Sequence, residues 1–190
     1  AMGSVEMTMM NAAAVQLAKL YNLPIYASGG LTEAKRPDIQ AGIEEGFSNL
    51  TVAMAGADFI HLAAGILDSG DSISYEQFVI DNEIIGIIQR LLRGIKVDEG
   101  TLGFDVIEKV GPGGHFIIED HTVEHMMDEF FYPKLSVRHN FDTWEEKGRP
   151  DMLSRANDVV QKILEEGKGG LLEHDLISEI KKAFPGSRLI

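Results

Sequence analysis

Apolar residues recur at helical spacing along the first third of the chain, where two short apolar runs interrupt the pattern. The periods in residues 4–21 and 37–55 predict two helices, and Pro37 suits the first turn of the second because no backbone N–H is needed there. The runs 23–28 and 57–65 are apolar and end at glycines, so they predict short buried strands. This order of helix, strand, helix and strand predicts a layered α/β arrangement.

A long amphipathic stretch over residues 75–92 predicts a third helix, which ends in a basic turn followed by Gly94. After it the strand signal fades, and the pattern changes from α/β to nearly all α near residue 95. Further helices are predicted within residues 97–111, 120–131, 149–167 and 173–184. Two predicted strands are too few for a complete parallel sheet, so the chain either dimerises through its sheet or is a piece of a larger protein.

Charge and composition narrow the classes of partner. With 17 lysines and arginines against 30 acidic residues, the formal net charge is −13, which disfavours binding to nucleic acids or anionic membranes. There is no cysteine, so disulfides, thiolate zinc sites and cysteine nucleophiles are excluded, and a cytoplasmic location is expected. No apolar run approaches the roughly 20 residues that span a bilayer, and the start of the chain lacks the layout of a signal peptide.

Several unusual strings occur in order along the chain and together carry a family resemblance. They are YASGGLTEAKRPDIQAGIEEG, AGADFIHLAAGILDSGDSISYEQFVIDNEIIG, GPGGHFIIEDHT and RHNFDTWEEKG. With these strings the sequence resembles the trimethylamine:corrinoid methyltransferase superfamily over most of its length. The resemblance implies a TIM-barrel enzyme that transfers a methyl group from trimethylamine, or from a quaternary amine such as glycine betaine, to cobalt. That cobalt belongs to a corrinoid carried by a separate protein.

Members of that superfamily are much longer than this chain, which resembles only their C-terminal part. The resemblance therefore implies an α/β fold in which residues 1–95 are late βα units of a TIM (β/α)8 barrel. Residues 96–190 would form a helical C-terminal extension. The isolated chain is then expected to be catalytically incomplete and prone to self-association through an exposed barrel edge. The implied partners are the cognate corrinoid protein and a small methylated amine.

In a TIM barrel the active site lies at the carboxyl ends of the strands, which directs attention to two glycine-rich segments. Gly29, Gly30, Thr32 and Gly65 are expected to face the substrate or the corrinoid, because glycines let the backbone approach a bulky ligand. The alternative is that these residues form plain connections between strand and helix. Asp38 has a simpler role, which is to complement the dipole of the helix that begins there.

His61 is the candidate catalytic residue, since it is ionisable and late in the second strand. From the barrel lumen it could bind a substrate carboxylate or donate a proton near the amine. The alternative is a buried histidine with an internal hydrogen bond. Recognition of a methylated cation also requires aromatic ring faces. Tyr26 would supply one if its side chain points into the lumen, and the alternative is that it points into the helix layer.

The string that begins at Gly111 brings three histidines close together in sequence. His115 follows three glycines and a proline, and it is expected near the barrel mouth or the surface that docks the corrinoid protein, unless the string is only a tight connection between helices. His121 and His125 would share one helix face and could bind zinc, but the HExxH pattern is absent and Asp120 or Thr122 suits a helix cap. We expect no metal site.

Two rival functions stay open. One is a helical module in which residues 95–190 bind a partner protein without chemistry. The other is a metal-dependent hydrolase built around His115, His121 and His125. Arg138, His139 and Trp144 lie in a matching string, but no mechanism follows from them.

Overall fold

The computed structural model describes residues 1–167, 172 and 174–185. The first third has the predicted order, with α1 (Val5–Leu20), β1 (Tyr26–Ser28), α2 (Ile39–Ala55) and β2 (Phe59–His61). Ser4 begins α1, because its side chain accepts a hydrogen bond from the backbone N–H of Met7. Asp38 caps α2 in the same way through the N–H groups of Gln40 and Ala41, so Pro37 lies before the cap and not in the first turn.

The two strands pair in parallel, with Ala27 opposite Ile60. One face of this pair carries Ala27 and Ile60 toward α1 and α2, where Val15 and Val52 complete a buried apolar cluster. The alternate residues of both strands point to the opposite face, because successive strand side chains alternate. That opposite face carries the candidate site.

A short antiparallel hairpin follows the second strand and was not predicted. It consists of β3 (Ile66–Leu67) and β4 (Ser72–Ile73), joined by a single 3-10 turn at Asp68–Gly70. The helix α3 (Tyr75–Arg93) begins at Ser74, whose side chain accepts from Gln77 N–H, and ends at Gly94. The helix predicted over 75–92 is therefore confirmed.

Helices make up the rest of the described chain. They are α4 (Glu99–Leu102), α5 (Phe104–Val110), α6 (Asp120–Glu129), α7 (Phe141–Glu146), α8 (Met152–Glu166) and α9 (His174–Ala183). The single helix predicted in 97–111 is wrong, because Gly103 has a φ of 58° and divides the segment into two helices. The helix α7 was not predicted. The helix predicted over 173–184 is confirmed in its described part, and Glu173 lies outside the described residues.

The segment before α7 joins α3 to α8. Ile80, Leu135 and Ala156 form a buried apolar cluster between these elements. Both oxygens of the buried Glu83 carboxylate accept hydrogen bonds from the loop, namely from the backbone N–H groups of residues 134–136 and from the Ser136 hydroxyl. None of the described helices is long and apolar enough to cross a membrane.

The observed fold is a mixed α/β structure with few strands, in agreement with the predicted class. Two neighbouring parallel strands covered by helices on one face are compatible with a section of a barrel. The barrel itself and the division of the chain at residue 95 stay predictions.

Candidate active site

His61 and Ser28 are the last residues of the two parallel strands and lie directly opposite each other. The Ser28 hydroxyl and His61 Nε2 are 2.9 Å apart, which is a hydrogen bond. The His61 ring stacks on Tyr26 with a centroid distance of 4.1 Å, and Tyr26 stacks on Phe59 at 5.1 Å. Tyr26 is 64% exposed and Phe59 is 58% exposed, so this strand face presents an open aromatic surface beside a histidine.

Three buried side-chain atoms of the described chain have no hydrogen-bond partner, and all three belong to this region. They are His61 Nδ1, Asn49 Oδ1 and Glu45 Oε1. A buried polar group without a partner costs free energy, and in native proteins such groups are few. Their concentration around the strand ends marks this region as the candidate site.

The predicted glycines pack closely against other parts of the protein. A Cβ on Gly29 would lie 2.5 Å from Asn49 Oδ1, and one on Gly30 would lie 2.6 Å from the carbonyl carbon of Ala63. A Cβ on Gly65 would lie 2.9 Å from the Phe78 ring. Their small size is therefore required by the neighbouring protein atoms. A role for these glycines toward the substrate or the corrinoid stays a prediction.

Thr32 is fully buried and its hydroxyl is used inside the chain. The hydroxyl donates to Glu44 Oε2 at 2.6 Å and accepts from the Ala34 N–H at 2.9 Å. The same Glu44 oxygen accepts from the N–H of Glu33 at 2.8 Å. These bonds hold the segment that follows β1 against α2, so the contacts of Thr32 in this chain are internal.

Polar side chains of α2 hold the loops that follow both strands. Ser48 Oγ accepts from the Gly30 N–H at 3.0 Å, and Asn49 Nδ2 donates to the Ala63 carbonyl at 3.0 Å. Loops at the ends of parallel strands otherwise leave backbone groups without partners. The two loops are thereby fixed to one helix, which sets the position of the Ser28 and His61 ends relative to each other.

A buried polar cluster connects α2 to α3 beneath the second loop. Gln77 Nε2 donates to Glu45 Oε2 at 2.5 Å and to Asp81 Oδ1 at 2.8 Å. Asp81 Oδ2 accepts from the Gly65 N–H at 2.7 Å. Glu45 and Asp81 have no exposed surface and Gln77 is only 1% exposed.

Burial and the adjacent Asp81 carboxyl raise the pKa of Glu45 to about 10. Burial also raises the pKa of Asp81, although hydrogen bonds from Glu45, the Gly65 N–H and Gln77 oppose that increase. Two adjacent carboxylates cannot both be ionised cheaply in a low-dielectric interior. Glu45 therefore carries a proton at neutral pH, and donation of that proton to Asp81 gives a partner to Glu45 Oε1, which has none among the other described groups.

The other predicted histidines lie in the helical part. His115 is exposed in the loop before α6 and takes part in none of the described hydrogen bonds or ion pairs. His121 Nε2 lies 2.7 Å from the Gly100 carbonyl, His125 Nδ1 lies 2.8 Å from the His121 carbonyl, and their rings stack at 4.2 Å. Both line an open cleft of about 600 Å³.

Zinc binding by these histidines gains no support from the geometry. Within the part of the chain that the structure describes, no group of three or more His, Asp or Glu side chains could hold a metal ion. The ring nitrogens of His121 and His125 that form hydrogen bonds contact backbone carbonyls. Those bonds position the start of α6.

The residues missed by sequence reasoning are the polar ones that hold the loops. Glu45, Ser48 and Asn49 are buried, and they lie on the same α2 face as the buried Ala41 and Val52. A sequence signal was available, because polar residues at core-facing helical positions require partners. The apolar spacing of α2 directed attention to its other face.

This chain is similar to known proteins over most of its length. The family model described as trimethylamine methyltransferase matches residues 1–186. A glycine betaine methyltransferase of Desulfitobacterium hafniense strain Y51 is 40% identical over 162 residues, which are 85% of this chain and 34% of that protein. The trimethylamine methyltransferase MttB of Methanosarcina barkeri is 36% identical over 97% of this chain and 38% of its own length.

A third relative matches this chain with similar identity and coverage. The trimethylamine methyltransferase MttB of Desulfitobacterium hafniense strain DSM 10664 / DCB-2 is 40% identical over 86% of this chain and 32% of its own length. The chain thus spans about a third of the length of the curated relatives that it matches. Because the family match extends over nearly all of its residues, the chain belongs to the trimethylamine methyltransferase family.

Proposed function

We propose that this chain is part of an enzyme that transfers a methyl group from a methylated amine to the cobalt of a corrinoid on a separate protein. The family membership supports methyl transfer as the reaction class. Relatives named for trimethylamine and for glycine betaine support a tertiary or quaternary amine as the methyl donor. The corrinoid protein is then the methyl acceptor, a second substrate and not a resident cofactor.

The observation that carries the proposal is the open aromatic surface beside His61. Tyr26 and Phe59 present stacked rings on the exposed strand face, and ring faces attract quaternary and protonated amines. This surface runs along two parallel strands toward their carboxyl ends. In a barrel that face would line the lumen, and a methylated ammonium would lie on the rings with its methyl group directed to the mouth.

His61 and Ser28 supply the polar contact at the end of this surface. A serine hydroxyl both donates and accepts, so when His61 Nε2 carries the proton and donates it to Ser28, the Ser28 O–H is free to donate to a substrate carboxylate. With glycine betaine the pair would bind the carboxylate. With trimethylamine it would hold the proton that converts the neutral amine into a cation able to release a methyl group.

The transfer is a displacement at the methyl carbon. The C–N bond breaks and nitrogen keeps its electron pair, while cobalt(I) of the acceptor supplies the pair for the new carbon–cobalt bond. The groups on this chain bind and orient the cation and exclude water from the methyl group. Positioning of the methyl group is the main demand on the enzyme, because the neutral amine that departs from a quaternary nitrogen is already an adequate leaving group.

The methyl acceptor, which is the corrinoid protein, would approach the exposed side of this strand face. A Cβ on Gly29, Gly30 or Gly65 would meet protein atoms, which supports a role for these glycines in close packing. We propose that they shape the barrel mouth through tight packing and that His115 contributes to the docking surface. The matched region is about a third of each relative's length, and residues that correspond to the rest of those relatives would complete the barrel.

The test is methyl transfer by the complete product of the gene that encodes this chain. The protein is mixed with trimethylamine or glycine betaine and with a cobalt(I) corrinoid protein, and the change in corrinoid absorbance is followed. Transfer from at least one donor is expected. Failure with both donors and several corrinoid proteins would overturn the proposal. The 190-residue chain alone is expected to be inactive, and turnover by it would show that no further residues are required.

Two variants test whether catalysis depends on the strand face or on another part of the chain. His61→Gln is expected to lower kcat/KM by about 100-fold, the scale of a lost acid–base or orienting group. His125→Gln is the matched control, because it removes an imidazole outside this face. If the two variants had equal activity, His61 would have no catalytic part. A corrinoid protein that bound without methyl transfer, and bound equally after His61→Gln, would favour the helical binding module.

Self-association is part of the proposal and has its own structural support. The outer face of α2 exposes Ile39, Ile43 and Phe47, with exposed fractions of 81%, 63% and 50%. Contiguous apolar surface of this kind favours burial against another protein surface. Sedimentation of the wild-type chain and of an Ile43→Lys, Phe47→Lys variant tests this. We expect a dimer or larger species that dissociates in the variant, and a wild-type monomer would contradict it.

A further inference from the structure

A second cleft, remote in sequence from the strand ends, is lined by an unusual set of side chains. It has a volume of about 380 Å³ and lies between the segment before α7, α7 itself and the start of α8. No aspartate or glutamate is among its lining residues, although acidic residues outnumber basic ones in the chain by 30 to 17. The basic lining residues are Lys134, Arg138, His139, Lys147 and Arg155.

Within residues 1–167, the lysines and arginines of this cleft are also the ones that form no ion pair with a carboxylate. Residues 1–167 contain 13 lysines and arginines, of which nine form ion pairs with carboxylates. The remaining four all line this cleft, and they are Lys134, Arg138, Lys147 and Arg155. In a protein with a net charge of −13, four unpaired cations would be expected to scatter or to find carboxylates. Their convergence is a local reversal of the charge of the protein.

Neutral acceptors hold three of these four cations in place. Arg155 donates to the Lys134 carbonyl at 3.2 Å, and Lys147 Nζ donates to His139 Nε2 at 2.9 Å. Arg138 donates to the Val137 carbonyl at 3.1 Å. Each of these bonds uses only part of the donor set of a guanidinium or ammonium group, so further donors stay available to a ligand.

The cleft also has an aromatic wall. Trp144 is fixed there because its indole N–H donates to the Pro150 carbonyl at 3.1 Å. Tyr132 lines the same space. A ring or an apolar group attached to an anion would find a stacking surface beside the cations.

We propose that this cleft binds a small phosphate-bearing molecule. Arginine guanidinium groups match phosphate oxygens through paired N–H donors, and ammonium groups add charge that suits a dianion better than a carboxylate. The volume lies in the range of small-molecule pockets, and the cations converge from three segments into a concave space. An acidic protein surface would need a broad or convex cationic patch. The site is additional to methyl transfer and independent of the proposed function.

The experiment is a calorimetric titration of the chain with inorganic phosphate at constant ionic strength, set with sodium chloride. Saturable binding of one phosphate per chain is expected. Arg138→Gln and Lys134→Gln should each weaken it by about tenfold or more, the scale of a lost charged hydrogen bond. Lys162→Gln is the matched control, because Lys162 lies on α8, pairs with Glu166 and does not line the cleft. It should leave the affinity unchanged.

Several outcomes would overturn the assignment. Weak binding that does not saturate, or equal weakening in all three variants, would show that phosphate responds only to overall charge. Saturable binding of polyglutamate without binding of phosphate would assign the cleft to an acidic protein partner. Circular dichroism of each variant verifies folding, and Arg138→Lys provides a second measure. It keeps the charge but loses the paired donors, so its affinity should fall between wild type and Arg138→Gln.

Discussion

Glu45 and Asp81 lie on different helices, yet both carboxyl groups contact the same side-chain amide. Gln77 Nε2 is 2.5 Å from a Glu45 oxygen and 2.8 Å from an Asp81 oxygen. The second Asp81 oxygen holds the Gly65 N–H. The cluster therefore transmits the position of α2 and α3 to the loop that follows His61. Its protonation state affects both the stability of the chain and the position of that loop.

The first prediction concerns the pH dependence of stability. Burial raises the pKa of Glu45 from 4.5 to about 10, so the folded chain keeps a proton that the unfolded chain releases at neutral pH. A raised carboxyl pKa means that stability falls as the pH rises between these two values. Glu45→Gln mimics the protonated form and cannot titrate. The free energy of unfolding of wild type should fall relative to this variant by up to about 1.4 kcal/mol per pH unit.

Urea unfolding of both proteins across the neutral and mildly alkaline range measures this difference. Glu6→Gln serves as the control, because Glu6 is exposed in the first turn of α1 and its removal should leave the pH dependence unchanged. Parallel curves for wild type and Glu45→Gln would mean that Glu45 titrates as an ordinary carboxyl, and the assigned proton would then be wrong.

The pairing within this cluster could not be predicted from the sequence. The helices α1, α2 and α3 and both parallel strands could be predicted, since local spacing and punctuation by glycine determine them. The partner of Glu45 is Gln77, which lies 32 residues away, and no local pattern contains that pairing. Buried polar groups are defined by tertiary contacts, so the loop-holding residues became visible only in three dimensions.

The helical half of the chain shows a second limit of prediction from sequence. The short helix α7 begins at Asn140, whose side chain accepts from the Thr143 N–H, so a capping signal was present but the segment has only six helical residues. Gly103 divides the predicted helix of 97–111, and its left-handed backbone is a property that spacing does not reveal. The strand-end position of His61 could be predicted, whereas its stacking on Tyr26 could not, because that contact requires the parallel register.

The second prediction tests the close packing of the strand-end loops. Gly30 has a φ of 62°, and an added Cβ would lie 2.6 Å from the Ala63 carbonyl carbon. Gly30→Ala should therefore destabilise the chain by about 2–4 kcal/mol, through backbone strain and displacement of the neighbouring loop. Gly42→Ala is the matched change, because Gly42 lies within α2 and a Cβ there meets nothing within 4 Å. It should stabilise the chain by about 0.5–1 kcal/mol.

Thermal unfolding of these two variants distinguishes a packing role from a ligand role. If Gly30→Ala had the stability of wild type, the loop would adjust easily, and a role in ligand approach would become the better reason for glycine there. If Gly42→Ala were also strongly destabilising, the effect of Gly30→Ala could not be assigned to the contact with Ala63.

The third prediction concerns the Glu83 carboxylate, which joins α3 to the segment before α7. Burial alone would raise its pKa, but hydrogen bonds from Ser136 and from three backbone N–H groups lower the pKa of Glu83 below its usual 4.5. Glu83→Gln places an amide against these donors and should destabilise the chain by about 2–4 kcal/mol at neutral pH. The exposed Glu165→Gln on α8 is the control and should have almost no effect.

The pH dependence of this effect has the opposite sign to that of Glu45. A lowered carboxyl pKa stabilises the folded chain above the ordinary glutamate pKa, and this contribution is lost as the pH falls below it. The gap between wild type and Glu83→Gln in urea unfolding should therefore narrow in acid. A gap that stayed constant from neutral to acidic pH would show that the carboxylate charge contributes nothing to the junction.

The last prediction concerns the orientation of His61. Its Nε2 is bonded to the Ser28 hydroxyl, whereas its buried Nδ1 has no partner in the described chain, so Ser28 is the side chain whose hydrogen bond fixes the ring position. Ser28→Ala should shift the ring ¹⁵N resonances of His61, because Nε2 loses its hydrogen bond. Ser72→Ala, a change on the exposed strand β4, should leave them unchanged.

The same substitution separates positioning from binding in the proposed reaction. Ser28→Ala leaves the aromatic surface of Tyr26 and Phe59 intact, so the affinity for protonated trimethylamine, which has no carboxylate, should change little. Without its orienting bond, His61 should act less efficiently, and kcat should fall by about tenfold or more in the complete enzyme. Tyr26→Leu should have the reverse effect and raise KM, because it removes the ring and keeps the Ser28–His61 bond. If both variants changed kcat and KM alike, the strand face would act as a single structural unit, and separate roles for its rings and its histidine would be wrong.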